Sequence, residues 1–277
     1  MAMNEEFDLV IEESRSSKNY WNDIWKYREL FFFLAWRDIL VRYKQTVIGL
    51  AWSLLRPFLT MLVFTVIFGK LAKFPSDGIP YPIFVYAAML PWQFFSTSFT
   101  DASNSLIGNA NMLTKIYFPR VIIPTSTVIV NLVDFLLSFV LLIGLMIWYH
   151  FTPSWTIITL PLFLIQALII SLGAGFYVAA VNVKYRDFKY IVPFVVQIGL
   201  YISPVGFGSS IAGEKWRLLY SLNPMVGVID GFRWAITGDA RQIYLPGYYL
   251  SLGMTLLMTI LGIWYFRKTE RSFADII

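Results

Sequence analysis

Trp36–Pro57 reads WRDILVRYKQTVIGLAWSLLRP, and the contrast between its two halves decides the class of fold. The first half is basic, aromatic and amphipathic and carries Arg37, Arg42 and Lys44. The second is an apolar run holding one cation, Arg56, directly before Pro57. Lys and Arg beside an apolar run mark the cytoplasmic edge of a membrane span, because they favour the anionic inner face. An Arg inside the span is costly and is a functional candidate on that ground.

Composition points the same way. Of 277 residues, 57% are hydrophobic and only 14% charged, where a soluble chain carries about a quarter charged residues. The net charge of +5 does not mark a nucleic-acid binder. Its basic residues lie in short clusters between apolar runs, not on one continuous face. The chain has no cysteine, which excludes disulfides, thiolate catalysis and cysteine-ligated metals. The opening residues, MAMNEEFDLVIEESRSSKNY, have no apolar core and are not expected to form a cleaved signal peptide.

A membrane helix needs about 20 mostly apolar residues. That length predicts an all-α integral membrane protein with spans at Val47–Leu71, Pro82–Ile107, Val121–Trp148, Trp155–Asn182, Ile191–Phe207 and Tyr248–Phe266. The fifth is short and holds Pro193 and Pro204. The semi-polar stretch after it, Gly208–Pro246, fits re-entrant or interfacial helices better than a crossing, since broken backbone in a membrane must be sheltered. With the N-terminus inside, fifteen basic residues fall on the cytoplasmic side and six on the other, leaving Arg56 in the membrane. That bias, with an even span count, places both termini in the cytoplasm. Tyr20–Tyr43, mixing Trp21, Trp25, Phe31, Phe32, Phe33 and Trp36 with charges, reads as a helix lying in the membrane interface. A soluble helix packed on a partner is the alternative.

Recognisable catalytic chemistry is missing. GNANMLTK at Gly108–Lys115 lacks the second glycine before lysine that a phosphate loop requires. His150 is the only histidine and falls at a span end, and no metalloprotease pair, nucleophile elbow or paired-carboxylate motif occurs. No catalytic residue and no metal site are therefore expected. Asp101 and Asp134 lie at membrane depth, where acids face a bundle interior or aqueous cavity and pair with a cation such as Arg56. Asp101 stands in a polar half-span with Ser96, Thr97, Ser98, Thr100, Ser103, Asn104 and Ser105. That half-span either lines a conduit, contacts another subunit, or leaves the bilayer early near Phe99. Gly173-Ala174-Gly175 points to close helix packing.

Six strings, in order, resemble the membrane subunit of type-2 ABC exporters, specifically the polysaccharide exporters of the Wzm and TagG kind. They are Trp36–Pro57, KIYFPR (Lys115–Arg120) with Pro124, VKYRDF (Val183–Phe188), ISPV (Ile202–Val205), Asn223-Pro224 and the tail FRKTERSFAD (Phe266–Asp275). The resemblance implies one transmembrane domain over 1–277. Its parts are a cytoplasmic segment and interface helix to residue 46, five spans over 47–207, external gate helices over 208–246, and a last span with cytoplasmic tail over 247–277. It further implies a homodimer in the bacterial inner membrane, working with two ATP-binding cassette subunits that bind ATP and Mg, and no cofactor on this chain. The implied cargo is an undecaprenyl-diphosphate-linked polysaccharide, and the motif set is closest to the O-antigen branch.

Placed on this sequence, the resemblance puts coupling to the ATPase at Tyr27–Lys44, Asn109–Arg120 and Val183–Lys189. Lys115, Pro119, Arg120, Arg186 and Asp187 are the named candidates, the last two fixing their loop by charge-assisted bonds. Arg37, Arg42, Lys44 and Arg56 are candidates for the cargo diphosphate, since cation meets phosphate and Arg offers a bidentate fork. Trp92, Phe94, Phe95 and Phe99, with Asp101 and Asp134, are candidate channel-lining residues. The alternatives are the same fold moving teichoic acid, capsule or a small amphiphile, an intramembrane enzyme acting on lipid-linked sugars, and a passive structural protein.

Overall fold

A computed structural model describes residues 17–44 and 47–273. The acidic opening segment (1–16), the Gln45-Thr46 step inside the leading motif and the last residues of the tail (274–277) lie outside the described residues. Among the described residues every regular element is helical. In order they are α1 (Ser17–Lys26), α2 (Arg28–Lys44), α3 (Val47–Phe64), α4 (Tyr81–Gly108), α5 (Ala110–Leu113), α6 (Ile122–Trp148), α7 (Leu160–Lys184), α8 (Phe188–Ile202), α9 (Gly213–Tyr220), α10 (Pro224–Thr237) and α11 (Leu245–Thr269). A seven-residue π-helical stretch, Thr65–Leu71, extends α3.

Four segments are long and apolar enough to cross a membrane on length and composition alone: Leu54–Leu71, Ile122–Trp148, Trp155–Lys184 and Leu245–Ser272. The chain is thus a multi-pass helical membrane protein. The other two expected spans differ for separate reasons. At 15 residues, α8 reaches about 22 Å, short of a hydrocarbon core of about 30 Å, and the chain breaks at Ser203-Pro204. By contrast α4 is long, 28 residues or about 42 Å, but its second half is polar.

That polar half does not end the helix at Phe99. Instead its side chains bond back to the helix that carries them. Thr97 Oγ1 donates to the Gln93 carbonyl at 2.8 Å, Thr100 Oγ1 to Ser96 at 2.7 Å and Ser103 Oγ to Phe99 at 2.6 Å. Asn104 Nδ2 donates to the Thr100 carbonyl at 2.9 Å and Ser105 Oγ to that of Ala102 at 2.7 Å. Such back-bonding satisfies a hydroxyl with no external partner. It lets α4 serve as the central helix, buried against α6, α7 and α10 and touched by α3 and α8.

Two apolar clusters hold the bundle. The larger gathers Ile83, Phe84, Met89 and Phe94 of α4 with Phe135 and Leu142 of α6, Phe163 and Ile170 of α7, and Ile229 and Phe232 of α10. The smaller joins Leu34 of α2 to Leu106, Leu113, Ile122, Phe176, Phe266 and Phe273. The crossing of α7 and α11 rests on Gly173 and Gly262. A Cβ on Gly262 would run into the Gly173 carbonyl, and one on Gly173 would lie 2.5 Å from the Thr259 Cα. The Gly173 signal in the sequence therefore marks a real backbone-to-backbone approach.

Within Gly208–Pro246, α9 is largely exposed while α10 is almost wholly buried. Asn223 caps α10, its side-chain oxygen accepting from the Met225 N–H at 3.1 Å, and Pro224 occupies the first turn, where a missing N–H costs nothing. Arg233 of α10 is 0% exposed. Its guanidinium donates to the carbonyls of Phe84 (3.2 Å), Phe207 (2.8 Å) and Val205 (2.9 Å) and stacks 3.7 Å over the Phe84 ring. It is an internal tie between α10, α4 and the turn after α8.

Candidate functional site

Helical spacing builds the site. Met89, Gln93, Thr97 and Asp101 recur every four residues along α4, and Asn131, Asp134, Phe135 and Ser138 occupy one face of α6. These spacings bring each set onto one side of its helix. The two faces meet across a cavity of about 340 Å³ that is also lined by Arg42 and Tyr43 of α2 and by Arg56 and Pro57 of α3. Phe94, Tyr86 and Leu90 complete its wall.

At the α2 end the charges are tied together. Arg42 reaches the Asp134 carboxylate at 2.5 Å, the Asn131 side-chain oxygen at 2.7 Å and the Asp101 carboxylate at 3.2 Å. Asn131 Nδ2 donates to Asp101 at 3.1 Å, and the Tyr43 hydroxyl donates to Asp134. One guanidinium thus bridges two carboxylates carried on two helices. Burial pulls the Arg42 guanidinium down, but Asp134 and Asp101 outweigh it, so its pKa stands above the ordinary value. Burial and the bond to Asp134 raise the Tyr43 phenol, which keeps it a donor at neutral pH.

This corrects the pairing expected from sequence. The partner of the two acids is Arg42, not Arg56. The reason is reach: α2 packs along α6 and delivers Arg42 between the acids. Arg56 faces the same cavity and, among the described residues, no acid lies within ion-pair distance of it.

The remaining candidates fall in several places. Phe94, Asp101 and Asp134 line the cavity; Trp92, Phe95 and Phe99 do not. Trp92 is buried over Gly199 of α8, and Phe95 stacks on Phe99 at 5.7 Å between centroids. Arg37 bonds Asp38 at 2.8 Å and Asn109 at 3.3 Å, and Lys44 is exposed at the end of α2. Lys115 is exposed and Pro119 buried after α5. Arg120 donates through its backbone N–H to the Glu270 carboxylate at 2.8 Å and through its guanidinium to the Glu270 carbonyl. Arg186 and Asp187 are exposed between α7 and α8. Among the described residues neither side chain makes the loop-fixing bond expected of it; backbone bonds from Lys189 to Arg186 and from Tyr190 to Asp187 close the turn.

Sequence reasoning missed Tyr43, Asn131 and Glu270. Asn131 and Asp134, three apart on α6, were legible as one polar face. Glu270 was not, because its partners Arg120 and Tyr20 (2.9 Å) lie 150 and 250 residues away. Through Glu270 the first helix, the start of α6 and the end of α11 meet at one end of the bundle.

Residues 29–237 match the family model described as ABC-2 type transporter. The chain belongs to that family. The match takes in α2 to α10, and so every residue lining the cavity. Among characterised proteins, the chain is similar to the O-antigen export system permease protein RfbA of Myxococcus xanthus, 32% identical over 76% of this chain and 81% of the relative. The protein of the same name from Klebsiella pneumoniae is 28% identical over 90% of this chain and 95% of its own length. The polysialic acid transport protein KpsM of Escherichia coli is 26% identical over 85% of this chain and 92% of that protein.

Proposed function

We propose that this ABC-2 family member is the membrane-spanning permease of an ABC transporter that exports a lipid-linked polysaccharide, O-antigen above all, across the bacterial inner membrane. The observation that carries the reading is the cavity between α2, α3, α4 and α6. It combines two arginines with a row of amide and hydroxyl side chains and an aromatic wall. Cations suit a diphosphate headgroup, and amides, hydroxyls and aromatic faces suit sugar. The near full-length similarity to permeases named for O-antigen export supports the same cargo.

The reading extends to architecture. α4 and α8 join the four apolar segments as crossings, giving six, with α9 and α10 as gate helices on the external side. The positive-inside bias places α1, α2 and the end of α11 in the cytoplasm, and the meeting of Tyr20 with Glu270 agrees with both lying on one side. α8 presents Phe194, Val195, Ile198, Tyr201 and Ile202 outward, an apolar row suited to lipid and to a second copy in a homodimer. ATP and Mg belong to two separate cassette subunits, which dock where α2, Lys115 and the exposed Arg186 and Asp187 are presented. Undecaprenyl diphosphate is the proposed anchor of the cargo, entering beside Arg37, Arg42, Lys44 and Arg56.

The test is to purify the chain with its ATP-binding partner, reconstitute the complex in lipid, and add isoprenyl-diphosphate-linked glycan. ATP hydrolysis should rise with glycan-lipid, and Arg56→Ala should blunt the rise. Failure of any ATPase to co-purify would overturn the proposal.

A further inference from the structure

A second cavity, of about 350 Å³, adjoins Arg42. It is lined by Asp38 and Val41 of α2, Thr127 and Val130 of α6, and again by Arg42 and Asp101. Arg42 and Asp101 are the described residues common to both cavities. The ion pair between them, 3.2 Å long, therefore stands as the partition between an outer space beside α2 and the inner cavity.

The partition is held by charge, not by packing. Arg42 and Asp101 both stay more than a third exposed, and each end of the bridge can be replaced. A diphosphate carries more charge than either carboxylate and matches the guanidinium fork bidentately, so it competes for Arg42 on better terms. Once Arg42 turns to a phosphate, Asp101 and Asp134 are left as two like charges whose shared cation has gone. Their repulsion favours separation of α4 from α6. Arg56, in the inner cavity and with no acid within ion-pair distance among the described residues, is then the next cation an anion meets.

We propose that the Arg42–Asp101/Asp134 bridge is an anion-operated gate: it keeps the two cavities apart at rest, and a phosphate or diphosphate group opens it by taking Arg42 from the acids. The proposal rests on the reading of this site as the entry for an anionic lipid, and adds that the acids hold the entry shut until the anion arrives.

The chain lacks cysteine, which permits a direct test without ATPase or glycan. Gln93→Cys places a thiol in the inner cavity, and its reaction with a membrane-impermeant maleimide is followed in the full chain, in complex where the partner is known. Thr152→Cys, exposed in the turn after α6, is the control for folding and access. The gate predicts slow labelling at rest, about tenfold faster labelling with farnesyl diphosphate, and no acceleration by farnesol. Inorganic pyrophosphate acting as well as farnesyl diphosphate makes the headgroup alone sufficient; pyrophosphate without effect makes the lipid tail necessary for delivery. In Asp101→Asn, which keeps the Arg42–Asp134 bond, labelling should be fast without any anion. Labelling already fast in the parent, unchanged in Asp101→Asn, or accelerated only by farnesol, overturns the gate. Such an outcome leaves glycan-stimulated ATP hydrolysis, and so the transport proposal, standing or falling by itself.

Discussion

Replacing Arg233 by Ala should destabilise the protein severely, although the residue lies outside every sequence-level candidate. Its guanidinium donates three bonds to backbone carbonyls on two separate segments, Phe84 in α4 and Val205 and Phe207 after α8. A bond from a charged donor contributes about 1.5–3 kcal/mol, so the gross loss is roughly 5–9 kcal/mol. Relief of the buried charge offsets part of this, and removal of one buried charged partner typically costs about 3–5 kcal/mol net. At roughly 2–4 °C per kcal/mol for a chain of this size class, the melting midpoint should fall by roughly 6–20 °C. Thermal unfolding in detergent, followed by the fluorescence of the ten tryptophans, reads this directly. Arg233→Met, which keeps volume but supplies no donor, should fall nearly as far, because the bonds to all three carbonyls are lost in both. Arg233→Lys should fall less. A shift of under about 2 °C for Arg233→Ala would refute the argument that these bonds hold α10 in place.

Other outcomes follow from single contacts. Gly262→Val should abolish a monodisperse fold, since its Cβ would strike the Gly173 carbonyl, whereas Gly253→Ala, with open space around its Cβ, should elute unchanged in size-exclusion chromatography. Glu270→Ala removes the acceptor of the Tyr20 hydroxyl and the Arg120 N–H. The N-terminal helix should then be cut several-fold faster in limited proteolysis, with Glu270→Gln intermediate. Arg186→Ala and Asp187→Ala remove exposed side chains that make no bond among the described residues. The midpoint should move by less than about 1 °C, while stimulation of the partner's ATP hydrolysis falls.

The class of fold was open in the sequence because hydrophobic run length, unlike tertiary contact, is a local property. Val121–Trp148 became α6 almost residue for residue. The fifth segment shortened because Pro204 follows a serine that breaks the helix, which run length does not register. Half the site was visible: the four-residue rhythm from Met89 to Asp101 and the Asn131/Asp134 pair define two polar faces. What remained hidden was which cation stood between them. Arg56 is closer in hydropathy terms, but the docking of α2 on α6 decides the pairing in favour of Arg42. Glu270 and Arg233 were invisible for the same reason, since each acquires its meaning only from carbonyls and side chains distant in the chain.

The self-contained bonding of α4 has a mechanical side. Hydrogen bonds between membrane helices are worth about 0.6–2 kcal/mol each, and a helix that makes many to its neighbours must break them before those neighbours can slide. The hydroxyls of Thr97, Thr100, Ser103 and Ser105 spend their protons on their own helix. Those four hydroxyls therefore do not fasten α4 to its neighbours, and the ties of this half come from Asp101 to Asn131 of α6 and from Ser103 and Asn104 to Asn182 of α7. The charged fastenings of α4 are thus gathered toward its two ends, Arg42 at one and Arg233 at the other, with neutral cross-links from Tyr86 and Asn182 besides.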